Sequence, residues 1–134
     1  MKRTVAAVLY WLAAVVITLG AFGHGFAGLQ VRDAIAATAL TPDITRPIWI
    51  VWYGTSLSMI TYGLLLFWAW PALKAGSSSR SVPALIVGAF YLLVGVAAYP
   101  YSGRDPFWIM FIVLGVLAIG TTLVLGTPRK PGDA

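Results

Sequence analysis

The stretch Val5–Phe26, "VAAVLYWLAAVVITLGAFGHGF", runs for 22 residues without a lysine, arginine, aspartate or glutamate. Its last letters open "GHGFAG", residues 23–28, which fits the G-x-G-x-x-G pattern of a dinucleotide-binding loop. The two readings exclude each other. A glycine fingerprint has that meaning only when it follows a strand and opens a helix inside a βαβ unit. Here the glycines close an apolar run of helix length, and no βαβ pattern follows. The nucleotide-binding reading is therefore rejected, and the stretch reads as a membrane helix with the glycines at its outer end.

Three further runs share the same freedom from charge: Ile48–Trp70, Val82–Tyr99 and Phe107–Leu125, with 23, 18 and 19 residues. A helix rising about 1.5 Å per residue needs roughly 20 residues to cross about 30 Å of hydrocarbon. Lone strands are excluded, because an unpaired backbone cannot sit in lipid. Composition agrees: 60% of the 134 residues are hydrophobic and only 10% are charged, against about a quarter in an ordinary soluble domain. The expected fold is an all-α, single-domain, four-transmembrane-helix bundle, N-in/C-in, with spans of about 5–26, 48–70, 82–99 and 107–125.

The net charge is +5. The basic residues stand in short clusters between apolar runs, which suits anionic lipid headgroups rather than nucleic acid. With both termini inside, Lys2, Arg3, Lys74, Arg80, Arg129 and Lys130 face the cytoplasm and Arg32, Arg46 and Arg104 face outward. That excess sets the orientation and a multi-pass location in the cell (inner) membrane. The opening "MKR" before an apolar run resembles a secretory signal, but the run exceeds the roughly 7–15 apolar residues of one, so the first helix is expected to be retained.

Prolines punctuate the expected spans. Pro47, Pro83 and Pro106 fall in or before first turns, Pro71 and Pro100 after helix ends. Ser81 and Asp105 are plausible N-caps. The outer segment Leu29–Arg46 is the long connection, and its "GLQVRDAIAATAL" has helical composition, so it either extends the first helix or lies along the interface. "RPIWI" and "RDPFWI" open the second and fourth helices, either as an old hairpin duplication or as the ordinary preference of Arg and Trp for the interface.

Small residues form two stripes. Ala6, Ala13, Gly20, His24, Ala27 and Gly28 share one face of the first helix, and Ala84, Gly88, Tyr91, Gly95 and Ala98 one face of the third. Such stripes let helix backbones approach closely. They place His24, the single histidine of the chain, toward protein rather than lipid. A buried imidazole needs hydrogen-bond partners, and the second helix, with Thr55, Ser56, Ser58, Thr61 and Tyr62, is the expected supplier.

Trp49, Trp52, Tyr53, Ser56, Tyr99 and Trp108 lie at the depth of His24 by topology. Together they predict an outer-leaflet pocket for a lipid or small amphipathic molecule, without catalysis. An interfacial aromatic belt and a histidine bonded across a helix interface account for the same residues. Intramembrane ionisable groups nevertheless tend to mark sites. Other readings are an accessory or oligomerising subunit, a homo-oligomer packed through the glycine faces, and a small oligomeric transporter or channel. No cofactor is assigned. Haem or copper held by His24 with Met110, or by His24 of two subunits, is the alternative. Cysteine is absent, so thiolate chemistry is excluded. No acid, base and nucleophile constellation can be read, so the chain leans away from enzymes.

In size, hydropathy and the element "HGFAG" (residues 24–28), the chain resembles small uncharacterised four-helix bacterial inner-membrane proteins. That resemblance spans the whole length and implies a fold but no activity. Small multidrug exporters are similar in size, yet they rely on an intramembrane glutamate, which this sequence lacks. Diagnostic residues of sterol-binding or glutathione-dependent four-helix membrane proteins do not match.

Overall fold

The structure, a computed structural model, describes residues 2–128. Arg129 and Lys130, which enter the charge count above, lie outside the described residues. The chain folds into α1 (Arg3–Ala36), α2 (Pro42–Lys74), a single 3-10 turn (Ser78–Arg80), α3 (Ser81–Tyr101) and α4 (Phe107–Leu125), with no strand among the described residues. All four helices are long and apolar enough to cross a membrane. Val8, Leu19, Phe26, Ile50, Leu57 and Leu93 are each more than 60% exposed on their outer faces. Water would not tolerate so much apolar surface, whereas hydrocarbon does. The protein is an all-α four-helix membrane bundle.

α4 matches its expected span residue for residue, but α1 and α2 overrun theirs. Nothing in "GLQVRDAIA" stops a helix, so α1 continues to Ala36. Pro42 then starts α2 at its first position, where a missing N–H is harmless. The long outer connection anticipated over 29–46 is thereby reduced to residues 37–41. α1 has 34 residues against 21 in α3. At about 1.5 Å per residue the α1–α2 hairpin projects roughly 20 Å past α3 and α4.

The prolines are less faithful boundary marks than expected. Pro47 and Pro71 lie inside α2 and Pro100 lies inside the last turn of α3. Each sits within about two turns of a helix end, so the missing N–H costs one intrahelical bond without breaking the helix. Asp105 does cap α4, its Oδ1 accepting from the Phe107 N–H at 2.9 Å. Ser81 does not cap α3: it is the first helical residue, and its hydroxyl donates to the Ser78 carbonyl at 2.7 Å. The α3–α4 turn needs two left-handed residues in succession, Gly103 (φ 70°) and Arg104 (φ 66°). The second costs on the order of 1 kcal/mol because of its Cβ.

The helices form a ring in which α1 touches α2 and α4, α3 touches α4 and α2, and α1 and α3 stand diagonal without packing on each other. The rhythm on α3 is a packing stripe, with Ala84, Gly88, Tyr91 and Gly95 all buried. Its partner is α4. A Cβ on Gly95 would stand 2.7 Å from the Ile112 nitrogen, and one on Gly115 would stand 2.5 Å from the Leu92 nitrogen and 2.7 Å from the Gly88 oxygen. The two backbones therefore touch, which only glycine permits. Between α1 and α2 the tight point is Gly63, where a Cβ would collide with the Thr18 hydroxyl.

The core lies in the half of the bundle that carries the termini. Ala6, Tyr10, Ala13, Ala14 and Ile17 of α1 belong to one buried cluster with Leu66, Ala69 and Leu73 of α2, Ala84 and Val87 of α3, and Leu125 of α4. The Tyr10 hydroxyl donates to the Leu66 carbonyl at 2.7 Å, satisfying the one polar atom this ring brings inside. Arg3 closes that end. Its guanidinium donates to the carbonyls of Leu73 (3.1 Å), Val124 (3.3 Å), Leu125 (2.8 Å) and Thr127 (2.9 Å), joining the start of α1 to the ends of α2 and α4. Toward the other end buried positions thin out and the helix pairs separate.

Gly115→Ala is expected to force α3 from α4 at a backbone contact and to cost about 1–3 kcal/mol. Gly120 has open space around its Cβ position, so Gly120→Ala should be neutral or stabilising by up to about 1 kcal/mol. Thermal unfolding of both variants in one detergent checks this: equal melting temperatures would contradict the close α3–α4 approach.

Candidate functional site: an aromatic cavity at the wide end of the bundle

Between the α1–α2 and α3–α4 pairs lies a cleft-like cavity of about 1000 Å³, open along part of its surface. α1 contributes Gly20, Gly23, His24 and Ala27. α2 contributes one face from Pro47 to Tyr62, including Trp52, Thr55, Ser58 and Met59. α3 contributes Phe90, Tyr91 and Val94, and α4 contributes Phe107, Trp108, Met110 and Phe111. The α2 wall spans 15 residue steps, about 22 Å of depth. The lining contains no lysine, arginine, aspartate or glutamate.

His24 is held by α2 in three ways. Its Nδ1 lies 2.9 Å from the Ser56 hydroxyl. Its ring stacks on Trp52 with centroids 4.2 Å apart and planes 19° apart. The Trp52 indole N–H donates to the His24 backbone carbonyl at 3.0 Å. Gly28 makes that last bond possible, because a Cβ there would stand 2.9 Å from the Trp52 indole nitrogen and 3.2 Å from its Cδ1. The glycines of "GHGFAG" thus differ in use. Gly28 admits an indole, Gly23 has nothing within 4 Å of its Cβ position and borders the cavity, and Gly25 has only the Ser56 hydroxyl at 3.9 Å.

Ser56 donates weakly to the Trp52 carbonyl one turn back at 3.5 Å. Thr55 and Ser58 donate to their own helix, to the carbonyls of Val51 (2.8 Å) and Gly54 (2.9 Å). Such back-bonding satisfies hydroxyl protons in an apolar medium and leaves the oxygen lone pairs for other donors. His24 Nε2, the Trp108 indole N–H and the Tyr62 hydroxyl carry no hydrogen bond within the described residues. The Tyr91 hydroxyl is buried and likewise unpartnered.

Of the residues expected to form a pocket, His24, Trp52 and Trp108 line the cavity. Ser56 binds His24 but borders a separate shallow groove of about 400 Å³, shared with Tyr53, between α1 and α2 on their outer side. Trp49 does not reach the cavity, and its ring lies 6.0 Å from that of Tyr53. Tyr99 is half-buried beside the α3–α4 turn and also lies off the cavity wall. Met110, considered as a second metal ligand with His24, is on the same wall. The deeper residues Met59, Phe90 and Phe111 carried no sequence signal, because apolar residues occupy every face of these helices. Ala27 and Gly20 were legible as members of the small-residue stripe.

No known protein family matches the chain, and no solved structure does. Among curated proteins it is similar to the dipeptide and tripeptide permease A of Serratia proteamaculans (strain 568), with 31% identity over 76 residues. The match takes in 57% of this chain and 14% of the permease, so the chain corresponds to about one-seventh of that relative's length.

A methyl group at residue 28 should push Trp52 off the His24 carbonyl, whereas one at residue 23 has room. In protein labelled with ¹⁵N-tryptophan, Gly28→Ala is therefore expected to move the Trp52 indole resonance and Gly23→Ala to leave it in place. Comparable shifts in both would contradict the indole–carbonyl bond.

Proposed function

We propose that this multi-pass membrane protein binds a lipid or small amphipathic molecule in the cavity beside His24, without catalysis, with its termini in the cytoplasm and the cavity toward the outer leaflet. The observation that carries the reading is the cavity itself. Its volume of about 1000 Å³ is at the upper end of the roughly 300–1,000 Å³ of ordinary ligand sites. A partly open apolar cleft of that size favours an apolar or amphipathic occupant, which supplies the dispersion contacts its walls would otherwise lack. The orientation rests on the excess of lysine and arginine at the terminal end.

The permease similarity supports a second reading, a small transporter or part of one. It does not extend to peptides. A peptide's charged termini would need counter-charges, and the cavity wall has none. The accessory-subunit reading loses one of its motives, because the glycine stripe of α3 is occupied by α4 within the same chain.

Native mass spectrometry of protein released from nanodiscs containing a bacterial polar lipid extract tests the ligand reading. The wild type should retain a lipid, and Gly23→Phe, which fills the cavity from a position with no neighbour within 4 Å, should retain about tenfold less. Retention unchanged in Gly23→Phe, or none in the wild type, would refute it.

A further inference from the structure

The chemistry of the cavity wall narrows the ligand further, resting on the reading just given. The wall holds no formal charge over its whole depth. A phosphate, carboxylate or ammonium group inside would be desolvated with no counter-ion, which is strongly unfavourable in a low-dielectric site. Arg46, next to Pro47 at the mouth, is exposed. A phosphate bound there would stay in water and leave the interior polar groups unused.

Those interior groups are few and uncharged. His24 Nδ1 is engaged by Ser56, so the ring's orientation and the position of Nε2 are set before any ligand arrives. Trp108 offers an N–H that can only donate. His24 Nε2 donates or accepts according to tautomer, and the Ser56 hydroxyl supports either, because it can donate to Nδ1 or turn to the Trp52 carbonyl. The site can therefore pair with a carbonyl or with a hydroxyl at the same place.

The remainder of the wall is unusually rich in rings. Trp52, Tyr62, Phe90, Trp108 and Phe111 come from three helices, and His24 already stacks on Trp52. Aromatic walls favour a flat conjugated ring through offset or edge contacts, beyond what they offer an acyl chain.

We propose that the ligand is an uncharged, ring-headed lipid, a prenylated quinone or its quinol, with its ring oxygens hydrogen-bonded to His24 Nε2 and to the Trp108 indole N–H, the ring among the aromatic side chains, and the prenyl chain along the apolar remainder of the cavity. Binding needs no electron transfer, and none is assigned.

Decylubiquinone, dioleoylglycerol and phosphatidylglycerol, titrated separately into the full chain in detergent, distinguish the possibilities, with retained ligand counted by native mass spectrometry. Decylubiquinone should bind saturably and displace the other two. Its affinity should fall about five- to tenfold in His24→Leu and in Trp108→Phe, the loss expected for one neutral hydrogen bond. Trp108→Phe keeps the ring and leaves the His24–Ser56 bond untouched, so it serves even if His24→Leu does not fold. The Nε2 resonance of ¹⁵N-histidine should also shift on addition of decylubiquinone. If phosphatidylglycerol or dioleoylglycerol binds at the cavity and decylubiquinone does not displace it, the quinone inference is overturned and the lipid-binding reading stands. Decylubiquinone binding that both substitutions leave unchanged also overturns it. If none of the three binds and Gly23→Phe makes no difference to retention, both readings fall.

Discussion

One guanidinium holds the narrow end of this bundle together. Arg3 donates to four carbonyls, at Leu73, Val124, Leu125 and Thr127. The last carbonyls of a helix have no intrahelical partner and carry the negative end of its dipole. Two such ends, those of α2 and α4, meet here; Leu73 also accepts from the Gly76 N–H and Val124 from the Thr127 hydroxyl, and the guanidinium ties the two ends to each other and to α1. A planar cation with five donors suits that geometry better than an ammonium group. By fixing where α1 begins relative to where α2 and α4 end, Arg3 aligns three helices at one level. Tyr10 reinforces the junction one helical layer further in.

The rest of the architecture follows from a bundle closed at one end. α3 and α4 stay together along their length because Gly88, Gly95 and Gly115 bring backbone against backbone. α1 and α2 pair through Gly63 against Thr18 and through rings, Tyr10 and Trp11 on Trp70 and His24 on Trp52, and continue past the other hairpin. Two stiff hairpins joined at one end and unequal in length diverge at the other, and the cavity occupies that divergence. Glycine has three separate uses within this design: backbone contact at Gly115, space for an indole at Gly28, and open cavity wall at Gly23.

The candidate site was partly legible. The small-residue stripe turned His24 toward protein, and the hydroxyl-rich second helix supplied its partner, Ser56. Trp52 and Trp108 were expected at the same depth and line the same cavity. Trp49, Tyr53 and Tyr99 were expected with them and lie elsewhere. Depth along a span can be read by counting residues from its end. Direction around the helix axis cannot be read when every face is apolar. The proline expectation held for Pro83, in the first turn of α3, and Pro106, just before α4; it failed for Pro47, Pro71 and Pro100 because within about two turns of a helix end a missing N–H removes too little to stop a helix that is packed on its neighbours.

The sequence alone determined that this chain crosses a membrane four times. That property is one-dimensional, since each uncharged run either is or is not long enough to span hydrocarbon, whatever the other runs do. It also determined that α3 would carry a close-packing stripe, because a glycine rhythm in a helix has one geometric meaning. Only the tertiary structure decided that this stripe meets α4 rather than α1, that the helical segment after the first span extends α1 instead of lying along the interface, and that the space between the hairpins is a cavity with His24 at its side. Those outcomes depend on which surfaces interlock best among several equally apolar ones, and that choice is made by pairwise shape rather than by the polarity of any single residue.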